Sequence, residues 1–140
     1  MTPGPLWQRM LQQPRLSAST ITRADIPTSP GVYAWFRDGE PVYVGRAKAK
    51  GGLRKRLAGN HLKVGPDLSK SAFRRNVCES IGVADTSITR FQPLTAAQTE
   101  TVNAWVAGCE VAWIECSTPE EAADLETAMK DEWKPPLTKR

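Results

Sequence analysis

No apolar run in this chain approaches the ~20 residues that a membrane-spanning helix needs. Its first 16 residues mix Pro, Gln and Arg with Leu, without the unbroken apolar core of a secretory signal, so export is not expected and a cytoplasmic protein is. Histidine occurs once, at His61, and cysteine three times, at Cys78, Cys109 and Cys116, with no Cys-x-x-Cys pair. Zinc-site spacing is therefore absent, and three reduced, mostly buried thiols are expected. Acidic residues are scarce where basic ones are dense. Ten lysines and arginines fall between Arg46 and Arg75 with Asp67 the only acid, although the net charge is just +4. Such a block is commonly a solvated face; the functional alternative is a phosphate-binding surface. What remains is ordinary for one globular domain: 140 residues, 24% charged, long enough for a real core.

The most particular stretch is residues 31–45, Gly-Val-Tyr-Ala-Trp-Phe-Arg-Asp-Gly-Glu-Pro-Val-Tyr-Val-Gly. Residues 31–36 and 41–45 read as two strands, since Val, Tyr, Trp and Phe suit a pleated, half-buried surface and Asp-Gly signals a hairpin. Each strand carries a tyrosine at its centre. The plain reading is a core hairpin whose tyrosines are wall material. If Tyr33 and Tyr43 share a site, they must share a sheet face, which a two-residue Asp38-Gly39 loop of regular register forbids. A three-residue loop over 37–39, or a bulge, is therefore expected, with Tyr33 directly opposite Tyr43.

Around this hairpin the pattern predicts a short helix over 5–13 with Leu6, Met10 and Trp7 inward, then a polar connection over 16–30. After a basic loop over 46–52 comes a helix over 53–61, with Leu53 and Leu57 buried. On a 100° wheel Arg56 and Asn60 flank that stripe on one side, Arg54 and His61 on the other. A helix over 69–81 buries Phe73, Val77 and Ile81, with Arg74 and Arg75 beside that face and Gly82 as its stop. Residues 83–93 read as a loop with an extended piece near Ile88. Thr95 and Gln98 open the next helix as a capping box, and 109–116 read as a strand. Thr118, Pro119 and Glu121 open the last helix, which runs to about Trp133. Its apolar stripe is Ala122, Leu125, Met129 and Trp133, and Glu126 falls within or beside it. An inward carboxylate needs a partner: a salt bridge to Arg46 or Arg56, or a metal ion. The expected fold is α+β, a mainly antiparallel three-stranded sheet flanked by helices. Residues 1–28 pack on a domain spanning 29–140.

Gly-Val-Tyr followed by Tyr-Val-Gly, just ahead of an arginine-rich helix, resembles the GIY-YIG nuclease superfamily. Leu53-Arg54-Lys55-Arg56-Leu57 is similar to the family's Leu-x-x-Arg-Leu, which places Arg56 at the family arginine. A small insertion around Gly51-Gly52 keeps Arg54 as a rival. The family's Tyr or His one turn later falls on Asn60, with His61 next to it. Glu126 and Pro135 stand at the spacing of the family's glutamate and proline, and Thr138 takes the place of its asparagine.

The resemblance implies a metal-dependent DNA endonuclease. Tyr33 would be the general base, its pKa near 10 lowered by Arg46, Lys48 or Arg56. Tyr43 would orient water or phosphate, Arg56 would grip the non-bridging oxygens, and Glu126 would hold one Mg²⁺ or Mn²⁺. Arg46, Lys48, Arg54, Asn60, His61, Arg74, Arg75 and Thr138 complete the expected substrate-binding set. The implied partner is duplex or branched DNA, with no membrane partner. A non-catalytic nucleic-acid binder on the same fold is the alternative. A protein-interaction module whose basic surface is incidental is a third.

Overall fold

The computed structural model describes residues 3–139. Strands β2 (Gly31–Arg37) and β3 (Glu40–Ala47) form the expected hairpin. Its loop is the two-residue Asp38-Gly39, not three residues, closed by the Arg37–Glu40 pair. Both loop residues take left-handed backbone, φ 52° and 80°, the primed turn whose twist matches the strands. The register then slips between Trp35 and Phe36: Phe36 faces Pro41 while Trp35 faces Tyr43, so Val42 is the extra residue of a bulge. Tyr33 consequently lies opposite Gly45, not Tyr43. The bulge nevertheless returns both tyrosines to one face, because Tyr43 pairs with Trp35, two residues from Tyr33.

The sheet has four strands, not three, in the order β1-β4-β2-β3, all antiparallel. The extra strand, β1 (Leu16–Ser17), is two residues long and pairs with β4 (Glu110–Glu115). Two residues carry no alternation that a sequence pattern can reveal.

Each sheet face is covered. Tyr33, Trp35, Tyr43 and Val111 form one core with Leu53, Leu57, Phe73, Val77, Val102 and Val106. These come from α2 (Gly52–Arg56) and its continuation, α3 (Ala72–Ser80) and α5 (Ala96–Ala107). Val32, Ala34, Phe36, Val44 and Ala112 face the other way, against Trp7 and Met10 of α1 (Pro5–Leu11) and Met129 of the last helix (Pro119–Glu132). Trp7 ties these two helices together: its indole N–H reaches Met129 O at 2.9 Å and Trp133 O at 3.0 Å. The Glu132 carboxylate accepts from the backbone N–H groups of Leu6 and Trp7.

Several local expectations change. The helix over 53–61 is α-helical only to Arg56. Residues Leu57–His61 form a π-turn, with Leu62 N donating to Leu57 O. A short helix, α4 (Thr86–Thr89), capped by Asp85, replaces the extended piece near Ile88. In the last helix, α6, Thr118 caps as expected, but the Glu121 carboxylate reaches back to Ser117 N rather than Thr118 N. Beyond α6 the chain runs along β3, the sheet's edge. Leu137 N donates to Val42 O, and the Thr138 hydroxyl accepts from Val44 N at 3.0 Å, so the tail covers the edge as a partial extra strand. Among the described residues no helix is long and apolar enough to cross a membrane.

Candidate active site

A cavity of about 420 Å³ opens at the β3 edge, where the two sheet faces meet. Tyr33 and Tyr43 reach it from one face and Arg46 from the other, because their positions alternate along the strands. Lys48, Arg56, Asn60 and Glu126 also line it. Strands β2 and β3, α2 and the last helix thus bring one tyrosine pair, two arginines and one carboxylate to a single space.

Gly45 makes room for this arrangement. A Cβ there would meet the Tyr33 hydroxyl and would lie 2.6 Å from its ring carbon Cζ. The Tyr33 and Tyr43 rings are 6.4 Å apart at 24°, and Phe73 and His61 pack against Tyr43 from behind. Tyr33 is fully buried. Its hydroxyl lies 2.6 Å from His61 Nε2 and accepts from Arg56 Nε at 3.4 Å. The expected lowering of its pKa does not occur: burial drives it upward, the neighbouring Tyr43 adds to this, and Arg56 offsets only part. Burial raises Tyr43 as well.

His61 is equally buried but, unlike Tyr33, does not line the cavity, so the expected substrate contact is not there; it stands behind the Tyr33 hydroxyl. Its Nδ1 lies 2.7 Å from the hydroxyl of Ser71, the N-cap of α3. Burial, with the charges of Arg56, Arg74 and Arg75, holds its pKa well below 6.5 and keeps it neutral. The π-turn explains why His61 reaches this place. An i→i+5 turn holds one residue more than an α-turn, so the position one turn after Arg56 passes from Asn60 to His61. Asn60 remains half-buried on the cavity wall.

The two rival arginines separate cleanly. Arg56 touches Tyr33, whereas Arg54 turns away and donates from Nε to Ile26 O at 2.8 Å. Arg54 is therefore a structural tether and leaves the site. Arg74 leaves it too. It is 2% exposed, donates to His61 O (2.5 Å) and Asn103 Oδ1 (2.7 Å), and burial lowers its pKa to about 10. A guanidinium so enclosed has no surface to offer to DNA. Arg75 is half-buried and lines a second cavity beside the first. Thr138 lines that second cavity as well, but its hydroxyl is engaged by Val44 N.

Glu126 is 8% exposed and paired. Arg46 Nη1 lies 3.1 Å and Lys130 Nζ 3.6 Å from its Oε1. The Arg46 salt bridge is one of the two partners the sequence offered, and Arg56 is not the other. Sequence reasoning missed Lys130 and Ser71. Lys130 was legible, being four residues after Glu126 on the same helix face. Ser71 was not, because its role depends on the π-turn. Among the described residues no three His, Cys, Asp or Glu side chains gather as a metal cage.

No protein family, curated protein or solved structure matches the chain. What the site does is read from its own groups.

Proposed function

We propose that the protein is a metal-dependent DNA endonuclease of the GIY-YIG kind. The observation that carries this reading is the convergence of Tyr33, Tyr43, Arg56 and Glu126 on one cavity from four separate elements. Arg56 grips the non-bridging oxygens of the scissile phosphate, with Tyr43 as a second contact and Lys48 and Asn60 at the rim. Arg46 and Lys130 both pair with Oε1 of Glu126, and this carboxylate lines the cavity, where it is the group that would hold a hard cation. One Mg²⁺ or Mn²⁺ held there would supply Lewis acidity at the phosphate and charge neutralisation for the departing 3′ oxygen. With two cations around one carboxylate, metal affinity depends on the negative charge that the phosphate brings.

Tyr33 serves as a proton relay rather than as a free phenolate. With Nδ1–H of His61 donating to Ser71, Nε2 accepts the Tyr33 hydroxyl proton, and the Tyr33 oxygen takes a proton from the attacking water. The charge ends on His61. In the free protein, burial and three arginines oppose that charge. Arg56 and Arg75 are among them, and an arriving phosphate offsets both.

The paired state of Glu126 and the raised pKa of Tyr33 favour one other reading, a non-catalytic nucleic-acid binder. Incubation with supercoiled plasmid separates the two. Nicking with Mg²⁺ or Mn²⁺ that stops in EDTA is the expected result. Salt-sensitive DNA binding without nicking in either metal means a binder, and no binding at all removes both readings.

A further inference from the structure

The second cavity, about 470 Å³, shares Tyr43, Glu126 and Lys130 with the first, so the two form one continuous groove. Its far wall is basic: Arg75 of α3, Arg90 just after α4, and Lys139 of the tail. Among the described residues Glu126 is the only acid lining it, and that carboxylate is already shared by Arg46 and Lys130. Lys139 is paired with Glu79. Arg75 and Arg90 are in no salt bridge among the described residues.

The two arginines differ in how they are held. Arg75 is anchored, with Nη1 donating to Leu68 O (3.0 Å) and Ser69 O (2.5 Å), which fixes the fork and leaves its other N–H groups free. Arg90 is exposed, and its side chain makes no hydrogen bond among the described residues. The pair lowers the pKa of Arg75, after burial, by mutual repulsion. Two like charges held toward one space, one of them on a fixed fork, are costly unless an anion enters. Asn76 and Thr86 add neutral polar groups to the wall.

We propose that this cavity is a second phosphate subsite, in which Arg75 and Arg90 hold the phosphodiester next to the one at Tyr43 and Arg56. The inference rests on the nuclease reading only for what occupies the first cavity. It names the substrate class more closely: a strand that continues past the cut, with consecutive phosphates lying along the groove. A terminal or isolated phosphodiester fills only half of it. The groove's continuity through Tyr43, Glu126 and Lys130 favours the next phosphate of the same strand over an independent anion.

The test compares two short ligands without terminal phosphates, the thymidine dinucleotide TpT and trinucleotide TpTpT, by NMR titration of the intact protein. In the parent protein the second phosphodiester is expected to tighten binding about tenfold, the scale of one charge-assisted contact. In Arg90→Ala the gain falls below twofold. Arg90 is exposed and outside both cores, so this variant keeps its fold, checked by its unchanged unfolding midpoint. An equal gain in parent and variant overturns the subsite, and so does no gain in the parent. Inorganic phosphate that competes with TpTpT only at the first cavity's resonances also overturns it. Plasmid nicking is scored separately. A chain-length effect that needs Arg90, in a protein that never nicks DNA, keeps the subsite and removes the nuclease. Nicking without that effect does the reverse.

Discussion

His61 is the chain's only histidine, and its environment makes a measurable demand on stability. An unfolded histidine titrates near 6.5, whereas in the fold burial and the arginines hold the pKa well below that. Between the two values the unfolded chain binds the extra proton and the native one does not. Stability should therefore be level above pH 6.5 and fall as the pH drops from there to 5, by at most about 1.4 kcal/mol per pH unit. Urea unfolding at pH 5, 6 and 7 reads this directly, and His61→Gln should flatten the slope. An equally steep slope in that variant would assign the effect to other groups. The two rival arginines give a sharper residue-scale test. Arg56→Ala should lower kcat by roughly 10²–10³, the cost of removing one preorganised donor to a developing oxyanion. Arg54→Ala should act on stability through the lost bond to Ile26 O, and equal kcat losses in both would undo the assignment.

At the scale of elements, the hairpin and the helix after it decide which side chains meet. A primed two-residue turn alone would have sent the two tyrosines to opposite faces, and the Val42 bulge restores them to one. Gly45 then sits directly against Tyr33, so Gly45→Ala should force the ring or the strand aside and break the hydrogen bond between Tyr33 and His61. The expected cost is about 1–3 kcal/mol, measured by urea unfolding. A variant as stable as the parent would mean that Tyr33 is not held against β3. Much of this level was legible. The capping residues Thr95, Gln98 and Thr118, the strand within 109–116, and the inward Glu126 all follow from spacing. The shared tyrosine face followed from the chemistry rather than from the turn signal. The π-turn was not legible, because a 100° wheel assumes the α-helical repeat and so put His61 on the wrong side of Leu57. The burial of Arg74 was equally hidden. An arginine beside an apolar stripe is inward or outward according to whether oxygens await it, and His61 O and Asn103 Oδ1 are distant in sequence.

At the scale of the molecule, three layers meet at the β3 edge. The sheet supplies the tyrosines, one helical layer supplies Arg56 and Arg75, and the other supplies Glu126 and Lys130. The tail from Pro135 to Lys139 closes the edge between them without filling the groove. Among the described residues that design makes Glu126 the only acid facing a basic cleft, and the account turns on what its carboxylate does. Glu126→Gln keeps the shape and the polar contacts but removes the charge. The most direct measurement is plasmid nicking by Glu126→Gln in Mg²⁺ and in Mn²⁺, alongside its affinity for the same DNA. Cleavage is expected to be lost with both metals while DNA affinity is retained or rises, since the cleft gains net positive charge. Full nicking activity in the variant would contradict the account and leave Glu126 as no more than the partner of Arg46 and Lys130.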